Sequence, residues 1–192
     1  MDKGRVEAFS DGVIAVIITI MVLELKAPMG AHLHDLRPIL PVLAGYVLSF
    51  VYIGIYWSNH HHMIHAVRRV DGGVLWSNLH LLFWLSLIPF VTAWMGEYPL
   101  ATAPVALYGF ILLMSALAYL VLEANLLRVE GRDSPLALAV RKGGKEKLSL
   151  LVYAIGLAAA FFAPIFSLAC YVAVAAMWII PDRRVERQLG VR

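Results

Sequence analysis

The sequence has little of what most soluble enzymes and secreted proteins carry. Cys170 is the only cysteine in 192 residues, so no intrachain disulfide and no cysteine-rich metal site can form. Charged residues make up only 15% of the chain, whereas hydrophobic residues make up 61%. Phosphate-binding glycine loops, HExxH motifs and GxSxG motifs are missing, and so is a potassium-filter loop of the TVGYG type. These absences argue against an enzyme and against a disulfide-stabilised secreted domain.

Long hydrophobic runs, separated by charged or Pro/Gly-containing breaks, predict an all-α membrane protein with six transmembrane helices in a single domain over residues 1–192. The predicted spans cover approximately residues 7–27, 39–62, 73–95, 102–123, 147–163 and 165–181. Only Ala163, Pro164 and Ile165 are available for the turn between the last two spans. These two helices are therefore predicted to be short, or to form a re-entrant pair.

Basic residues fall mainly on one side of a six-span topology, which holds 14 of the 16 Lys and Arg residues. They are Lys3, Arg5, Arg68, Arg69, Arg128, Arg132, Arg141, Lys142, Lys145, Lys147, Arg183, Arg184, Arg187 and Arg192. Only Lys26 and Arg37 fall on the other side. The positive-inside rule then places both termini in the cytoplasm. The net charge of +3 indicates contact with membrane lipid at the inner leaflet rather than nucleic-acid binding.

The first predicted helix is unusual for a span that faces lipid. Between Asp11 and Glu24 the apolar run extends only from Val13 to Leu23 and includes Thr19. A lipid-exposed span needs about 20 apolar residues, and a carboxylate near hydrocarbon is costly unless it faces protein or water. We therefore expect this helix to be surrounded by protein or to line water, as a pore helix would.

Helical geometry separates the side chains of the first helix. At about 100° per residue, one narrow stripe contains Gly12, Val16, Ile20, Leu23 and Ala27. Thr19 lies at its edge, and Asp11 points to the back of the helix. The stripe either lines a narrow hydrophobic pore or packs against another helix. Asp11 is expected to be held by Arg5 or by polar groups of the second and third helices.

Histidines at the end of the second helix are candidates for metal binding or for buried hydrogen bonds. They are His60, His61, His62 and His65. His61 and His65 have the i, i+4 spacing that can chelate a metal, but no carboxylate at a helical offset completes a site. The favoured interpretation is no bound metal, with one or two imidazoles bonded to Asp11 or Asn78.

Two further features have a structural and a functional interpretation. On the third helix, Pro89 is predicted to cause a kink, and Asn78 is a candidate for a buried polar contact. The loop before the second helix contains His32, His34 and Asp35. A metal site could form there, but a solvated loop is the favoured interpretation.

A short motif resembles a known family. Arg5-x-x-x-Phe9-Ser10-Asp11, followed by Gly12 and an Ile/Val-rich helix, is similar to the RxxxFSD signature of the transmembrane protein 175 family of lysosomal and prokaryotic potassium channels. The segments around Trp57 and around Asn78 also fit, whereas the last three helices match only in hydropathy. The implied structural network comprises Arg5, Phe9, Ser10, Asp11, Trp57, His61 and Asn78.

The resemblance implies a homotetramer in which the first helix of each six-helix subunit lines a central pore. The family's pore positions fall on Val16, Thr19, Ile20 and Leu23. The innermost constriction residue is often isoleucine in the family and is valine here. At Ala15 the chain lacks a hydroxyl that some members have.

The residues and the resemblance together predict a potassium-permeable cation channel with modest K⁺ over Na⁺ selectivity and a hydrophobic pore constriction. We expect a multi-pass protein of a prokaryotic plasma membrane that has no cofactor, with K⁺ as the permeant ion. The alternative is a proton- or metal-coupled secondary transporter that uses Asp11 and the His60–His65 cluster. Against it, the sequence shows no internal repeat, and no helix after the third has a charge in the middle of its span.

Overall fold

The computed structural model describes residues 3–131, 134, 137 and 144–179, and its regular structure is entirely helical over these residues. In chain order the helices are α1 (Lys3–Leu23), a 3-10 helix (Leu33–Ile39), α2 (Leu40–His65), α3 (Gly72–Ser86), α4 (Ile88–Glu97), α5 (Thr102–Glu130), α6 (Lys145–Ala159) and α7 (Pro164–Ile179). The prediction of an all-α chain is confirmed.

Six apolar helical segments follow one another along the described residues, because α3 and α4 together form one of them. Four segments are long and apolar enough to cross a membrane: Lys3–Leu23, Leu33–His65, Gly72–Glu97 and Thr102–Glu130. Helices α6 and α7 have 15 and 16 residues, which corresponds to about 22 to 24 Å. They are shorter than a hydrocarbon core of about 30 Å.

Several predicted boundaries differ from the observed ones; for example, α6 ends at Ala159 instead of residue 163, so the turn to α7 precedes the predicted one. Helix α1 ends at Leu23 instead of residue 27, because the polar Glu24 and Lys26 and then Pro28 follow. Helix α5 continues to Glu130, seven residues past the predicted end at 123. Pro164 is the first residue of α7, a position where its missing N–H is harmless. The end of the predicted sixth span, together with Arg132, Arg141, Lys142, Arg183, Arg184, Arg187 and Arg192, lies outside the described residues.

The break between α3 and α4 follows from Pro89. A proline has no backbone N–H, so the carbonyl of Leu85 loses its partner four residues later. Helix α3 ends at Ser86, and α4 begins at Ile88. The third predicted span is therefore two helices that meet near the predicted kink.

The last turns of α5 hold the connection between α2 and α3. Arg128 forms an ion pair of 2.6 Å with Asp71, whose other carboxylate oxygen accepts a hydrogen bond from the Val74 N–H and so caps α3. Glu130 accepts hydrogen bonds from the backbone N–H groups of Arg68 and Arg69. These contacts explain why α5 extends past its apolar run.

Helix α5 forms the centre of the subunit and packs against α3, α4, α6 and α7. Its fully buried residues include Tyr108, Leu112, Ala118, Leu122 and Leu126. Helix α1, in contrast, packs against α2, α3 and α4 with one face only. The subunit thus has a helix that is surrounded by protein, α5, and a helix at its edge, α1.

Tyr171 fixes α7 against its neighbours by filling a slot between two glycines. The ring is fully buried, and its hydroxyl donates to the carbonyl of Val105, 3.4 Å away. A Cβ at Gly109 of α5 would overlap the Tyr171 hydroxyl and ring carbon. A Cβ at Gly156 of α6 would lie 2.7 Å from Tyr171 Cε1. Only glycine at both positions leaves room for this ring.

We therefore predict that Gly109→Ala and Gly156→Ala each lower the free energy of unfolding by about 1–3 kcal/mol, as overpacked core substitutions do. Tyr171→Phe should partly rescue Gly109→Ala, because it removes the hydroxyl that the new methyl group meets. It should not rescue Gly156→Ala, which contacts a ring carbon. Denaturant unfolding of the purified protein in detergent measures both effects.

The matched control is Gly54→Ala, because a Cβ there meets nothing within 4 Å in the subunit. This substitution should leave stability equal or slightly higher, since alanine favours a helix over glycine. Equal effects of all three glycine substitutions would contradict the role assigned to Tyr171.

Candidate functional site

Helix α1 has two distinct faces. The buried face, which packs inside the subunit, consists of Val6, Ser10, Ile14, Ile17 and Met21. The opposite face exposes apolar side chains: Val16 is 54% exposed, Ile20 is 44% exposed and Leu23 is 78% exposed. Gly12 and Thr19 are exposed on the same side, and Ala27 lies beyond the end of the helix. We call Gly12, Val16, Thr19, Ile20 and Leu23 the α1 stripe.

The α1 stripe contains no charged side chain. Thr19 provides its one hydroxyl, which donates to the Val16 carbonyl at 2.9 Å. The hydroxyl oxygen therefore keeps its lone pairs for a ligand or for water. Such a surface can form a narrow apolar passage with one polar ring, but it cannot surround an ion with carboxylates.

Helix α2 also leaves an apolar face uncovered, at a spacing of three or four residues. This face contains Leu43, Val47, Phe50 and Trp57. Helices α1 and α2 pack against each other, and each leaves an apolar face uncovered. Apolar surface of this extent indicates contact with lipid or with another protein chain.

A buried chain of hydrogen bonds joins α1, α2 and α3. Ser10 Oγ donates to the Val6 carbonyl at 2.8 Å and accepts from Asn78 Nδ2 at 2.9 Å. Asn78 Oδ1 lies 2.7 Å from His60 Nε2. Because an amide oxygen only accepts, this contact assigns the proton of His60 to Nε2. His60 Nδ1 is buried and has no hydrogen-bond partner among the described residues.

Two contacts lie beside this buried chain, at the same end of α1. Asp11 Oδ1 accepts a hydrogen bond of 3.0 Å from Trp57 Nε1. Glu7 Oε1 lies 3.1 Å from His61 Nδ1, close enough for attraction when the imidazole is protonated, although the geometry is not that of a hydrogen bond. Both contacts join α1 to α2.

The expected contact between Arg5 and Asp11 is absent from the described residues. Arg5 is exposed and forms no ion pair there, and Phe9 is 53% exposed. Of the two expected holders of Asp11, a polar group of α2 is the one observed. The structure therefore brings Ser10 and Asn78 together, and Asp11 and Trp57 together, but leaves Arg5 and Phe9 on the surface of the subunit.

Two acidic residues were missed by the sequence analysis. Glu7 precedes Asp11 by four residues, and Trp57 precedes His61 by four, so two i, i+4 pairs face each other across α1 and α2. The i, i+4 spacing of Glu7 and Asp11, and of Trp57 and His61, was the feature of the sequence that could have predicted these contacts. Glu123 was placed at the end of a span, but α5 continues past it and Glu123 is only 8% exposed.

The histidine clusters are not assembled into metal sites. The His61 and His65 rings stack with their centroids 5.9 Å apart. His32 and His34 stack at 5.3 Å, and His34 Nε2 lies 3.2 Å from Asp35. In the part of the chain that the structure describes, no group of three or more His, Cys, Asp or Glu side chains is arranged to hold a metal ion.

Known potassium channels resemble this chain in sequence. The family model for the endosomal/lysosomal potassium channel TMEM175 matches residues 5–89, which contain α1 to α3 and the hydrogen-bonded chain described above. A potassium channel of Chryseobacterium sp. (strain P1-3) is 52% identical over 189 residues, which cover 98% of each chain. A potassium channel of Streptomyces collinus is 38% identical over 153 residues, covering 73% of this chain and 74% of the relative.

The likeness also extends to a solved structure. The crystal structure of a lysosomal potassium-selective channel TMEM175 homolog from Chamaesiphon minutus matches with a TM-score of 0.78 and 29% sequence identity. The match covers 93% of this chain and 96% of that one. The shared fold therefore includes the last helices, which the sequence motif did not reach.

The first prediction from this site concerns Asn78. Asn78→Leu leaves the buried His60 Nε2 without its acceptor, and an orphaned buried polar group costs about 1–3 kcal/mol. We expect a lower unfolding midpoint in detergent. Asn125→Leu is the matched control, because Asn125 is only partly buried and its amide donates to the Val121 carbonyl of its own helix. Equal effects of the two substitutions would refute a structural role for the buried chain.

The second prediction is that the His60–His65 cluster has no essential metal. The double substitution of His61 and His65 by Gln should leave the zinc content of the purified protein near zero, as in the wild type. Ion flux through the reconstituted double variant should be of the same type as the flux through the wild type. Stoichiometric zinc in the wild type that disappears in the double variant would show that the prediction is wrong.

Proposed function

The chain belongs to the TMEM175 family, and on that premise we propose that it is the subunit of a homotetrameric potassium channel whose central pore is lined by α1. The observation that carries the proposal is the α1 stripe, an uncharged apolar face left uncovered on the edge helix of the subunit. Neighbouring copies would cover the exposed face of α2. The relatives described as potassium channels support K⁺ as the permeant ion.

The stripe suggests how such a pore works. Around a symmetry axis, Val16, Ile20 and Leu23 would form apolar rings, which close to ions by dewetting. An ion crossing an open ring must keep part of its water or lose it at a cost. K⁺ holds its water less tightly than Na⁺, so a narrow apolar neck with Thr19 hydroxyls favours K⁺ modestly. Divalent ions, which are hydrated far more strongly, are excluded.

The hydrogen-bonded chain has a supporting role in this proposal. Ser10, Asn78 and His60 hold the buried face of α1 against α2 and α3, and Trp57 holds Asp11. These contacts set the rotation of α1 about its axis. A helix held at this rotation presents the stripe away from the subunit, whereas a freely rotating helix would expose Asp11 to the pore or to lipid.

We place both termini in the cytoplasm of a prokaryotic cell and the helices in its plasma membrane. Described basic residues support one cytoplasmic end: Lys3 Nζ donates to the carbonyls of His65 and Val67, beside Arg68. At the opposite end, Lys26 pairs with Glu97 at 3.7 Å. The lipid bilayer, K⁺ and other copies of the chain are the proposed partners. The proposal includes no catalytic residue, no cofactor and no nucleic acid.

One contact favours a second candidate function, a proton-coupled transporter. Glu7 and His61 form a carboxylate–imidazole contact between α1 and α2, and such pairs can relay protons. Both side chains are partly exposed at the end of the bundle, far from the apolar middle of α1. They therefore do not form a polar path across the membrane, and the channel remains the function that the geometry supports best.

Planar bilayers containing the purified protein separate the two functions. A channel gives unitary current steps. When KCl and NaCl are both present at unequal concentrations across the bilayer, the reversal potential of these currents should lie nearer to the K⁺ equilibrium potential than to the Na⁺ equilibrium potential. A coupled transporter gives saturable flux without current steps and requires a proton gradient. Absence of unitary currents together with proton-dependent K⁺ flux would overturn the channel proposal.

Substitutions on the α1 stripe test the pore itself. Val16→Asn and Ile20→Asn should hydrate the apolar neck, raise the leak current and reduce K⁺ over Na⁺ discrimination, measured from reversal potentials. The matched control is Val172→Asn on α7, since Val172 is 52% exposed and Val16 is 54% exposed. Val22→Asn, on α1 but outside the stripe, is a second control. Unchanged conductance and selectivity in both stripe variants would show that α1 does not line the pore.

A further inference from the structure

A partly open cavity lies between α2, α5, α6 and α7, and α1 does not line it. Its volume is ≈ 40 Å³, which is enough for about three water molecules at roughly 10–15 Å³ each. The residues that matter for its chemistry are Tyr56, Asn59, Tyr119, Glu146, Tyr153 and Trp178. The proposed pore does not use this cavity.

Aromatic rings form most of the cavity wall. The rings of Tyr56 and Tyr119 meet edge to face with centroids 6.1 Å apart, and those of Tyr52 and Tyr153 lie 6.2 Å apart. Trp178 Nε1 donates to Ser149 Oγ at 2.8 Å, which fixes the indole ring. The faces of such rings carry partial negative charge and attract cations.

The carboxylate of Glu146 adds to this negative potential, and a second acidic residue, Glu123, lies nearby. Glu146 lines the cavity and forms no ion pair within the described ranges. Glu123 lies one turn beyond Tyr119 on the same side of α5, is almost fully buried, and is close enough to Glu146 for their charges to interact. Tyr119 is within electrostatic range of both. A cation in the cavity would be attracted by the carboxylate of Glu146.

One contact within the chain shows that an aromatic ring of this wall attracts an ammonium group. Lys145 Nζ lies 5.7 Å from the centroid of the Trp178 ring and also donates to the Met177 carbonyl. The exposed wall of the cavity is mostly apolar, which suits a metal cation poorly although several lining residues carry oxygen, and an anion would be repelled by Glu146. An alkylated ammonium, which is weakly hydrated, matches both the rings and the carboxylate.

We propose that this cavity binds a small alkylammonium group, held by cation–π contacts with the tyrosines and by the charge of Glu146. The group could belong to a free quaternary amine or to a lipid headgroup that carries trimethylammonium. The site lies within one subunit, so its occupancy does not depend on the pore or on assembly into a tetramer.

The test uses the full-length protein in nanodiscs of phosphatidylglycerol, with tetramethylammonium chloride as the probe and isothermal titration calorimetry as the measurement. We expect saturable binding at one site per chain, which KCl at equal ionic strength does not reproduce. Nanodiscs that contain phosphatidylcholine form a second arm. Weaker apparent binding there identifies a lipid headgroup as a competing occupant, whereas equal binding identifies the free amine as the ligand.

Variants assign the binding to the cavity. Glu146→Gln and Tyr119→Leu should each weaken tetramethylammonium binding about tenfold, consistent with the loss of one cation–π or charge contact. The matched controls are Glu97→Gln and Tyr98→Leu, whose side chains are exposed at the other end of the bundle. Tyr119→Phe keeps the aromatic ring and should therefore bind tetramethylammonium like the wild type. If Tyr119→Leu fails to fold, Tyr119→Phe and Glu146→Gln still test the proposal.

The proposal is overturned if the wild type shows no saturable binding, if KCl competes as well as the ammonium ion, or if Glu146→Gln binds like Glu97→Gln. K⁺ currents of Glu146→Gln should match those of the wild type. A failure of the ammonium site would therefore leave the channel proposal intact, and a failure of the channel would leave the ammonium site testable.

Discussion

The attachment of α1 by one face only is the constraint on which the rest of the structure depends. Ser10 is buried where α1 meets α3, and its hydroxyl accepts from Asn78, which in turn bonds to His60 of α2. A misplaced polar group would be costly there, because no water reaches it. The network therefore selects one rotation of α1, and the opposite face, with Val16 and Ile20, is left uncovered.

An uncovered apolar face is unfavourable in water, so it is expected to be covered by other chains or by lipid. An apolar passage differs from a site that binds ions, because it controls permeation through the cost of removing water rather than through charged ligands. The same design requires the remaining helices to be rigid. Central α5 supplies this rigidity, with Tyr171 seated between Gly109 and Gly156 so that α7 and α6 keep a fixed position around it.

The subunit also contains polar groups that the proposed pore does not use. At one end of α1, Glu7 and Asp11 each meet a ring of α2, His61 and Trp57 respectively. Between α2, α5, α6 and α7, Glu146 lines an aromatic cavity, and the buried Glu123 lies one turn beyond Tyr119 of its wall. The two acidic regions lie on different faces of α2, because Tyr56 and Asn59 line the cavity whereas Trp57 and His61 meet α1.

The sequence by itself determined the helical class, the existence of an apolar stripe on the first helix and the family, because helical periodicity and the RxxxFSD motif are local properties of the chain. Only the tertiary structure decided which polar residues meet. The pairing of Asp11 with Trp57 instead of Arg5, and of Glu7 with His61, depends on the rotation and depth at which α1 and α2 pack. The burial of Glu123 likewise depends on the ion pair between Arg128 and Asp71 and the contacts of Glu130, which extend α5 past its hydrophobic run. Contacts between distant segments leave no periodic signal in a single sequence, and for that reason they required the fold.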